Sequence, residues 1–343
     1  MQYNNKIDVI IPVYNTPDHL LFRCLSSIAS QEIIQDLEIT IVDDASSVKN
    51  NYQKIINNFT SIVKINLLRY EENGGPGVAR QYGINHTSNE FITFIDVDDT
   101  LNGTFALKAL RDGIQSNNNY YQVCIGAFDE VYKDPQSQET FLIPHTNDTI
   151  WMFGKLYRRC FIQKYNIHFH PTSRANEDNG FNTQVKLYSN NCQLINFIPA
   201  HVYYWHDNPN SITRNNDNQY TFGSQKWHSF YGYVENMIFA IQEVQKVTPN
   251  NQTIIKSLAL EHIVRLYEYY LECYNYAPQN ISQNFEYCKW YYNEIFKNYE
   301  NEYTELEFKQ MYSAIMKAFY TGGNLDNIIP FITFYEFLNQ LKR

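Results

Sequence analysis

Ile7-Asp8-Val9-Ile10-Ile11-Pro12-Val13 is an almost unbroken apolar run, and Tyr14-Asn15-Thr16-Pro17-Asp18 follows it at once. A strand with one wet face would alternate apolar and polar residues. This run does not, so it reads as a strand buried on both faces. Thr16-Pro17-Asp18 reads as a helix start, with an N-cap, a proline at the first helical position and an acid in the first turn. Leu20, Leu21, Cys24, Leu25 and Ile28 then recur at helical spacing. The alternation repeats outward from this unit. Leu37 to Val42 predicts a second strand, Ser47 to Phe59 a helix, and Val63 to Leu68 a third strand. Pro76 to Ile84 predicts another helix and Phe91 to Ile95 a fourth strand. Such alternation implies an α/β architecture, a mostly parallel sheet with helices on both faces.

From Val123 the pattern changes. Val123 to Phe128 and Glu139 to Ile143 flank a polar, proline-containing turn and predict a hairpin. Tyr157 to Tyr165 and Asp178 to Tyr188 read as helices, Leu194 to Ile198 as a strand, and Asp207 to Gln219 as a mobile polar loop. Beyond Phe222 only helical patterns remain, over 224–247, 253–274, 281–298, 302–320 and 325–341. Two domains are therefore expected, an α/β domain over residues 1–220 and an α-helical module over 221–343. The length of 343 residues agrees, at roughly 150 residues per domain.

Twenty-seven basic against 36 acidic side chains give a net charge of −9, which argues against a nucleic-acid backbone as the main partner and leaves only a local basic patch. No run of about 18 apolar residues suggests a membrane-spanning helix, and the N-terminus lacks a signal-peptide pattern. The six cysteines form no CxxC pair, so a zinc ribbon or disulfide framework is not expected. Reduced thiols in a cytoplasm fit best.

Ligands of an open α/β sheet bind beyond the carboxyl ends of its strands. The first strand ends in Pro12-Val13-Tyr14-Asn15 and the second in Asp43-Asp44; the third leads into Asn73-Gly74-Gly75-Pro76-Gly77-Val78-Ala79-Arg80, and the fourth ends in Asp96-Val97-Asp98-Asp99. Alone, Asp43-Asp44 would read as a helix cap. The glycine-rich turn matches neither a dinucleotide fingerprint nor a P-loop. Asp96, Asp98 and Asp99 are harder to explain structurally, because three neighbouring carboxylates repel unless a cation or protonation relieves them. Hard oxygen ligands suit Mg2+ or Mn2+, which bridge phosphate oxygens, and Arg80 adds a fixed positive charge for a diphosphate.

This ordered series resembles the family 2 inverting glycosyltransferases of the GT-A fold, which is Rossmann-like. The resemblance continues through Gly154-Lys155-Leu156-Tyr157-Arg158-Arg159 and Ala175-Asn176-Glu177-Asp178-Asn179-Gly180-Phe181 and covers residues 5–215. It is closest in character to the bacterial branch that decorates surface polymers, including wall teichoic acid and capsule enzymes. The resemblance implies a UDP-sugar donor and a glycan or polyol-phosphate acceptor. Pro12, Tyr14 and Asn15 would border uracil and ribose, and Asp44, or less readily Asp43, would bond the base. Gly75, Arg80, Val97 and Lys155 would belong to the nucleotide site. Asp96-Val97-Asp98 is similar to the DxD motif, with Asp96 facing ribose or metal and Asp98 on the metal. Asp178 would be the general base, with Glu177 beside it, as inversion needs one carboxylate to take the acceptor proton.

His206, after Tyr203-Tyr204-Trp205, stands where some relatives place a metal-binding histidine, although a lone histidine is more often structural. Arg214 lies in a loop suited to closing over the diphosphate. The stripe Ile263, Leu266, Tyr267, Tyr270 and Leu271, with Phe319 and Tyr320 later, reads first as core or as a homo-oligomer interface. The module behind residue 220 would then serve acceptor binding or oligomerisation. The apolar, aromatic end from Ile328 to Arg343 suggests peripheral contact with the inner face of a membrane. Two competing readings stand beside the enzyme on glycans: transfer to a base of modified phage DNA, and a catalytically degenerate sugar-nucleotide-binding subunit.

Overall fold

Strand β1, Ile7–Val13, lies between two parallel neighbours, β2 (Leu37–Asp43) and β4 (Phe91–Phe94), and β3 (Lys64–Arg69) pairs parallel outside β2. The computed structural model describes residues 4–47, 51–134, 136–206, 222–248, 252–276, 278–319 and 331–343. They belong to two compact units, residues 1–211 and 212–343. The boundary expected near residue 220 lies outside the described residues.

In the first unit, helices α1 (Asp18–Ala29), α2 (Tyr52–Ile56) and α3 (Pro76–Asn85) connect the parallel strands. After β5 (Thr100–Leu101) come α4 (Ala106–Asn119), β6 (Val123–Lys133), β7 (Thr140–His145) and β8 (Lys155–Arg158). The unit continues with α5 (Arg159–Lys164), α6 (Glu177–Tyr188) and β9 (Ile195–His206). The sheet order is β3-β2-β1-β4-β8-β6-β9-β5, with β7 antiparallel on β6 as the expected hairpin. The four strands read first are all parallel; the extension is mixed, since β8 runs against both β4 and β6. One face of β1 buries Ile7, Val9, Ile11 and Val13 with Leu21, Leu25 and Ile28 of α1. On the other face Ile10 presses on Gly83 of α3.

The chain runs outward from β1 to β2 and β3, then returns to the other side of β1 as β4. That reversal leaves a crevice at the carboxyl ends of β1 and β4. Pro12 stands at its mouth. The carbonyl of Ile10 accepts from Ile95 on the β4 side, whereas that of Val13 accepts from Asp44 on the β2 side. Pro12 shares the side of Ile10, but the β1–β4 ladder ends at Ile10 and Phe94. The missing N–H of Pro12 therefore costs no ladder bond.

Three local expectations change. Helix α1 has Pro17, not Thr16, at its N-cap and no side-chain capping bond. Of the helix expected over 47–59, residues 48–50 lie outside the described residues, and α2 ends at Ile56, where Asn58 Nδ2 bonds the carbonyls of Lys54 and Ile55 and so competes with helix propagation. Residues 155–158, whose end was expected to begin a helix at Tyr157, form β8 instead. Pairing between β4 and β6 decides this, and it buries all four residues.

The second unit is helical: α7 (Phe222–Val247), α8 (Gln252–Tyr276), α9 (Ile281–Glu294), α10 (Glu305–Phe319) and α11 (Phe331–Leu341). Helix α8 packs against the other four. Ile263, Leu266 and Tyr267 of the predicted stripe are buried, with Tyr267 against Phe334 and Phe337 of α11. Phe334, Phe337, Leu338 and Leu341 are buried as well, whereas Tyr335 of the same helix is exposed; residues 328–330 of the segment expected to meet a membrane lie outside the described residues. The side chains of Phe319 and Tyr320 lie outside the described residues. No helix among the described residues is long and apolar enough to cross a membrane.

Candidate active site

The four strand ends read from the sequence meet at one edge of the sheet. Tyr14 stands beyond β1 with about half its surface exposed. Asn15 adopts a left-handed conformation with φ of 48°, which asparagine tolerates better than most residues. Its N–H donates to Ser46 Oγ (2.8 Å), and its Oδ1 accepts from the N–H of Ser47 (2.8 Å). The loops after β1 and β2 are thereby laced together.

Asp43 and Asp44 are both buried, with different partners. Asp43 accepts from Arg69 (2.5 Å) and from the N–H of Ser46 (2.9 Å). Asp44 accepts from Tyr70 Oη (2.6 Å), Asn73 Nδ2 (2.9 Å) and the N–H groups of Gly74 (2.7 Å) and Gly75 (2.8 Å). Four donors occupy the capacity of one carboxylate, so a base bonded to Asp44 has to compete with them. Asp44 shapes the glycine-rich turn. Gly75 has a φ of 90°, a conformation side chains avoid, and so launches α3. At Gly77 a Cβ would come within 2.9 Å of Glu177, so the start of α3 rests directly on the start of α6.

Arg80 is the hinge of the site. It is buried, and its guanidinium joins Asp96 Oδ1 (2.5 Å) to Glu177 Oε1 (2.7 Å). Its charge is therefore spent on two carboxylates rather than held open for a diphosphate. Its Nε has no partner. Lys155 is equally buried, with its ammonium on Asp148 (3.1 Å) and the Phe153 carbonyl (3.3 Å).

The acidic strand end divides in two. Asp99 turns inward, accepting from Tyr203 Oη (2.8 Å) and the N–H of His206 (2.8 Å). Burial, followed by the charges of Asp98 and Asp96, pushes its carboxyl well above the usual range. Asp96, Val97 and Asp98 are only partly buried and border the crevice. Arg23 of α1 donates to the backbone carbonyl of Asp98, and the N–H of Asp96 donates to Tyr203 Oη (3.1 Å). His206 Nε2 sits 2.9 Å from Thr100 Oγ1. Burial, then the charge of Arg23, lowers the His206 pKa to about 4, which keeps the imidazole neutral.

Glu177 and Asp178 open α6, as expected, beside Asn176 in a left-handed conformation. Asp178 Oδ1 accepts from the N–H of Asn179 (2.7 Å). Burial and then the Glu177 charge push its carboxyl up to about 7, against the opposing pull of Arg80 and that N–H. A carboxylate so tuned can hold or release a proton near neutrality. Arg214 lies outside the described residues, as does the loop expected over 207–219. Arg23, Tyr70, Tyr203 and Arg174, which holds Asn73 Oδ1 (3.1 Å), escape the sequence reading. Only Tyr203 had a signal, as part of the run that ends in His206.

A glycosyl transferase family 2 model matches residues 8–177, about half of the chain, and spans every strand end just described. The chain belongs to glycosyl transferase family 2. It is 26% identical over 253 residues to the poly(ribitol-phosphate) beta-glucosyltransferase of Bacillus spizizenii, covering 69% of this chain and 37% of that one. It is 24% identical over 212 residues to the Staphylococcus aureus poly(ribitol-phosphate) beta-N-acetylglucosaminyltransferase TarS, covering 58% and 35%. The chain thus spans about a third of the length of these curated relatives. Among solved structures, S. aureus TarS 1-349 in complex with UDP-GlcNAc matches with a TM-score of 0.67 at 18% identity, over 93% of each chain. That likeness shows a shared fold, the GT-A architecture followed by helices that this family 2 sequence implies.

Proposed function

We propose that this family 2 chain transfers a sugar, with inversion, from a UDP-sugar to a hydroxyl of a glycan or polyol-phosphate acceptor. One observation supports the reading: Arg80 ties the acidic strand end at Asp96 to Glu177, the neighbour of Asp178 at the start of α6. Asp178 takes the acceptor hydroxyl's proton as its oxygen bonds to the anomeric carbon, while the bond to the UDP oxygen breaks. The attacking oxygen enters the anomeric carbon opposite the departing UDP oxygen, so a single displacement inverts the centre.

Among the described residues, no three histidine, cysteine or acidic side chains are placed to hold a metal ion together. Mg2+ typically takes one or two carboxylates and completes its shell with phosphate oxygens and water. Asp98 and Asp96 supply one or two such hard carboxylates and would hold Mn2+ or Mg2+. Such an ion neutralises charge on the departing diphosphate. Residues 1–220 serve as the catalytic domain in this reading, and the helices of 221–343 as the acceptor-binding or oligomerising part. The buried thiols Cys24, Cys124 and Cys288 suit a reducing, cytoplasmic setting.

Calorimetric titration with UDP-sugars, with and without Mn2+ or Mg2+, tests the reading. Metal-dependent binding is expected in the parent and is mostly lost in a folded Asp98→Asn variant. Absence of UDP-sugar binding with either ion, or undiminished metal-dependent affinity in Asp98→Asn, contradicts it.

A further inference from the structure

Successive residues of a helix are turned by about 100°, and residues four apart share a face. Glu177 faces Arg80, so the next residue faces elsewhere, on the side of Asn182. Asn182 Nδ2 donates to the carbonyls of Ile150 (2.8 Å) and Trp151 (3.0 Å), and its Oδ1 accepts from Tyr157 Oη (2.8 Å). The face of α6 that carries Asp178 therefore looks onto the loop before β8. That loop is held rigidly: Asp148 Oδ1 accepts from the N–H groups of Ile150 (3.0 Å) and Trp151 (2.8 Å) as well as from Lys155.

The indole of Trp151 lies 5.7 Å from that of Trp205, tilted by 29°, and Phe153 stacks on both. Trp205 directly precedes His206, whose N–H bonds Asp99. The three rings form one compact cluster, with Trp151 on the loop that faces the helix of Asp178 and Trp205 next to the strand end that holds Asp99. The cluster's backbone is fixed from both sides, yet Trp151 remains 40% exposed. An indole face is electron-rich and attracts the weakly positive C–H groups on the flat side of a sugar ring. An acyclic polyol offers no such flat side.

We propose that Trp151 and Trp205 form a stacking platform that holds a pyranose ring of the acceptor beside Asp178. This subsite rests on the transfer reading above and narrows its acceptor to one that presents a cyclic sugar.

Intrinsic tryptophan fluorescence of the full chain, titrated with pyranose disaccharides and separately with ribitol 5-phosphate, tests it. UDP affinity is measured by calorimetry in every variant. Disaccharide should perturb the emission, and ribitol 5-phosphate should not. Trp151→Ala and Trp151→Leu, which lack a π face, should bind disaccharide at least about tenfold more weakly, on the scale of lost aromatic stacking. Trp151→Tyr should retain most of the affinity, and all three should bind UDP as the parent does. The platform is overturned if no disaccharide binds, if only ribitol 5-phosphate binds, or if Trp151→Leu binds disaccharide as tightly as the parent. UDP binding that persists through such a result leaves the transfer reading standing. Failure of the parent to bind UDP or any UDP-sugar sinks that reading instead.

Discussion

Arg80 Nη1 and Glu177 Oε1 meet at 2.7 Å although they are 97 residues apart in sequence. The same guanidinium holds Asp96, so a single buried cation joins the end of the parallel sheet to the helix that carries Asp178. Burial works against the Arg80 charge, but the two carboxylates outweigh it and keep the guanidinium firmly protonated.

Removing that cation leaves two carboxylates without a counter-charge. Breaking a buried pair typically costs about 3–5 kcal/mol. Asp96 is 28% exposed, which places Arg80→Ala at the low end, about 3 kcal/mol. Urea unfolding checks this, and a loss below about 1 kcal/mol, the range of surface ion pairs, would show that the bridge is not structural.

Gly77→Ala probes the contact between the two helix starts. Its Cβ would lie 2.9 Å from both Cβ and Cγ of Glu177, so α3 and α6 must separate. Misplacement by about 1 Å can cost about 10²-fold in rate. Transfer in Gly77→Ala should fall by about that factor while UDP affinity stays within a few-fold of the parent. Equal losses in both measurements would place the damage in the nucleotide crevice instead.

The parallel part of the fold was legible because β1 and β4 are apolar almost throughout and helical patterns separate the strands. Ile7–Val13 appears in the structure with the bounds its composition implies. Lys155–Arg158 was not legible as a strand, because its alternation is short and its identity depends on β4 and β6, which only tertiary pairing supplies. The site was legible residue by residue, but its wiring was not. Nothing local in the sequence announces that Arg80 is spent on Asp96 and Glu177, that Asp44 braces a turn, or that Asp99 folds away onto Tyr203. Those are distances between segments far apart in the chain.

The pH profile follows from Asp178. Burial and the neighbouring Glu177 charge hold its carboxyl near 7, with Asp96 adding to the push and Arg80 and the Asn179 N–H opposing it. Lys155, packed behind the site, also feels the Asp178 charge. The working form of a general base is the ionised one. kcat/KM should therefore fall about tenfold per pH unit below about 7 and level off above it. The stability contribution has the opposite sense. Asp178 binds its proton more tightly folded than unfolded, so the stabilisation is complete below the usual value of 3.8 and is lost as pH rises through about 7. A rate that is flat between about pH 5 and about pH 8 would remove Asp178 from the role of base.

The central claim is that Asp178 acts on the acceptor and not on the nucleotide. Asp178→Asn keeps the size of the side chain and its acceptor for the Asn179 N–H, but cannot take a proton. The decisive measurement is UDP-sugar affinity and transfer rate, side by side, in Asp178→Asn and the parent. Affinity should be retained, and transfer should fall by about 10²–10⁴-fold, the usual contribution of a general base. Transfer near the parent rate, or loss of UDP-sugar binding, would contradict the account.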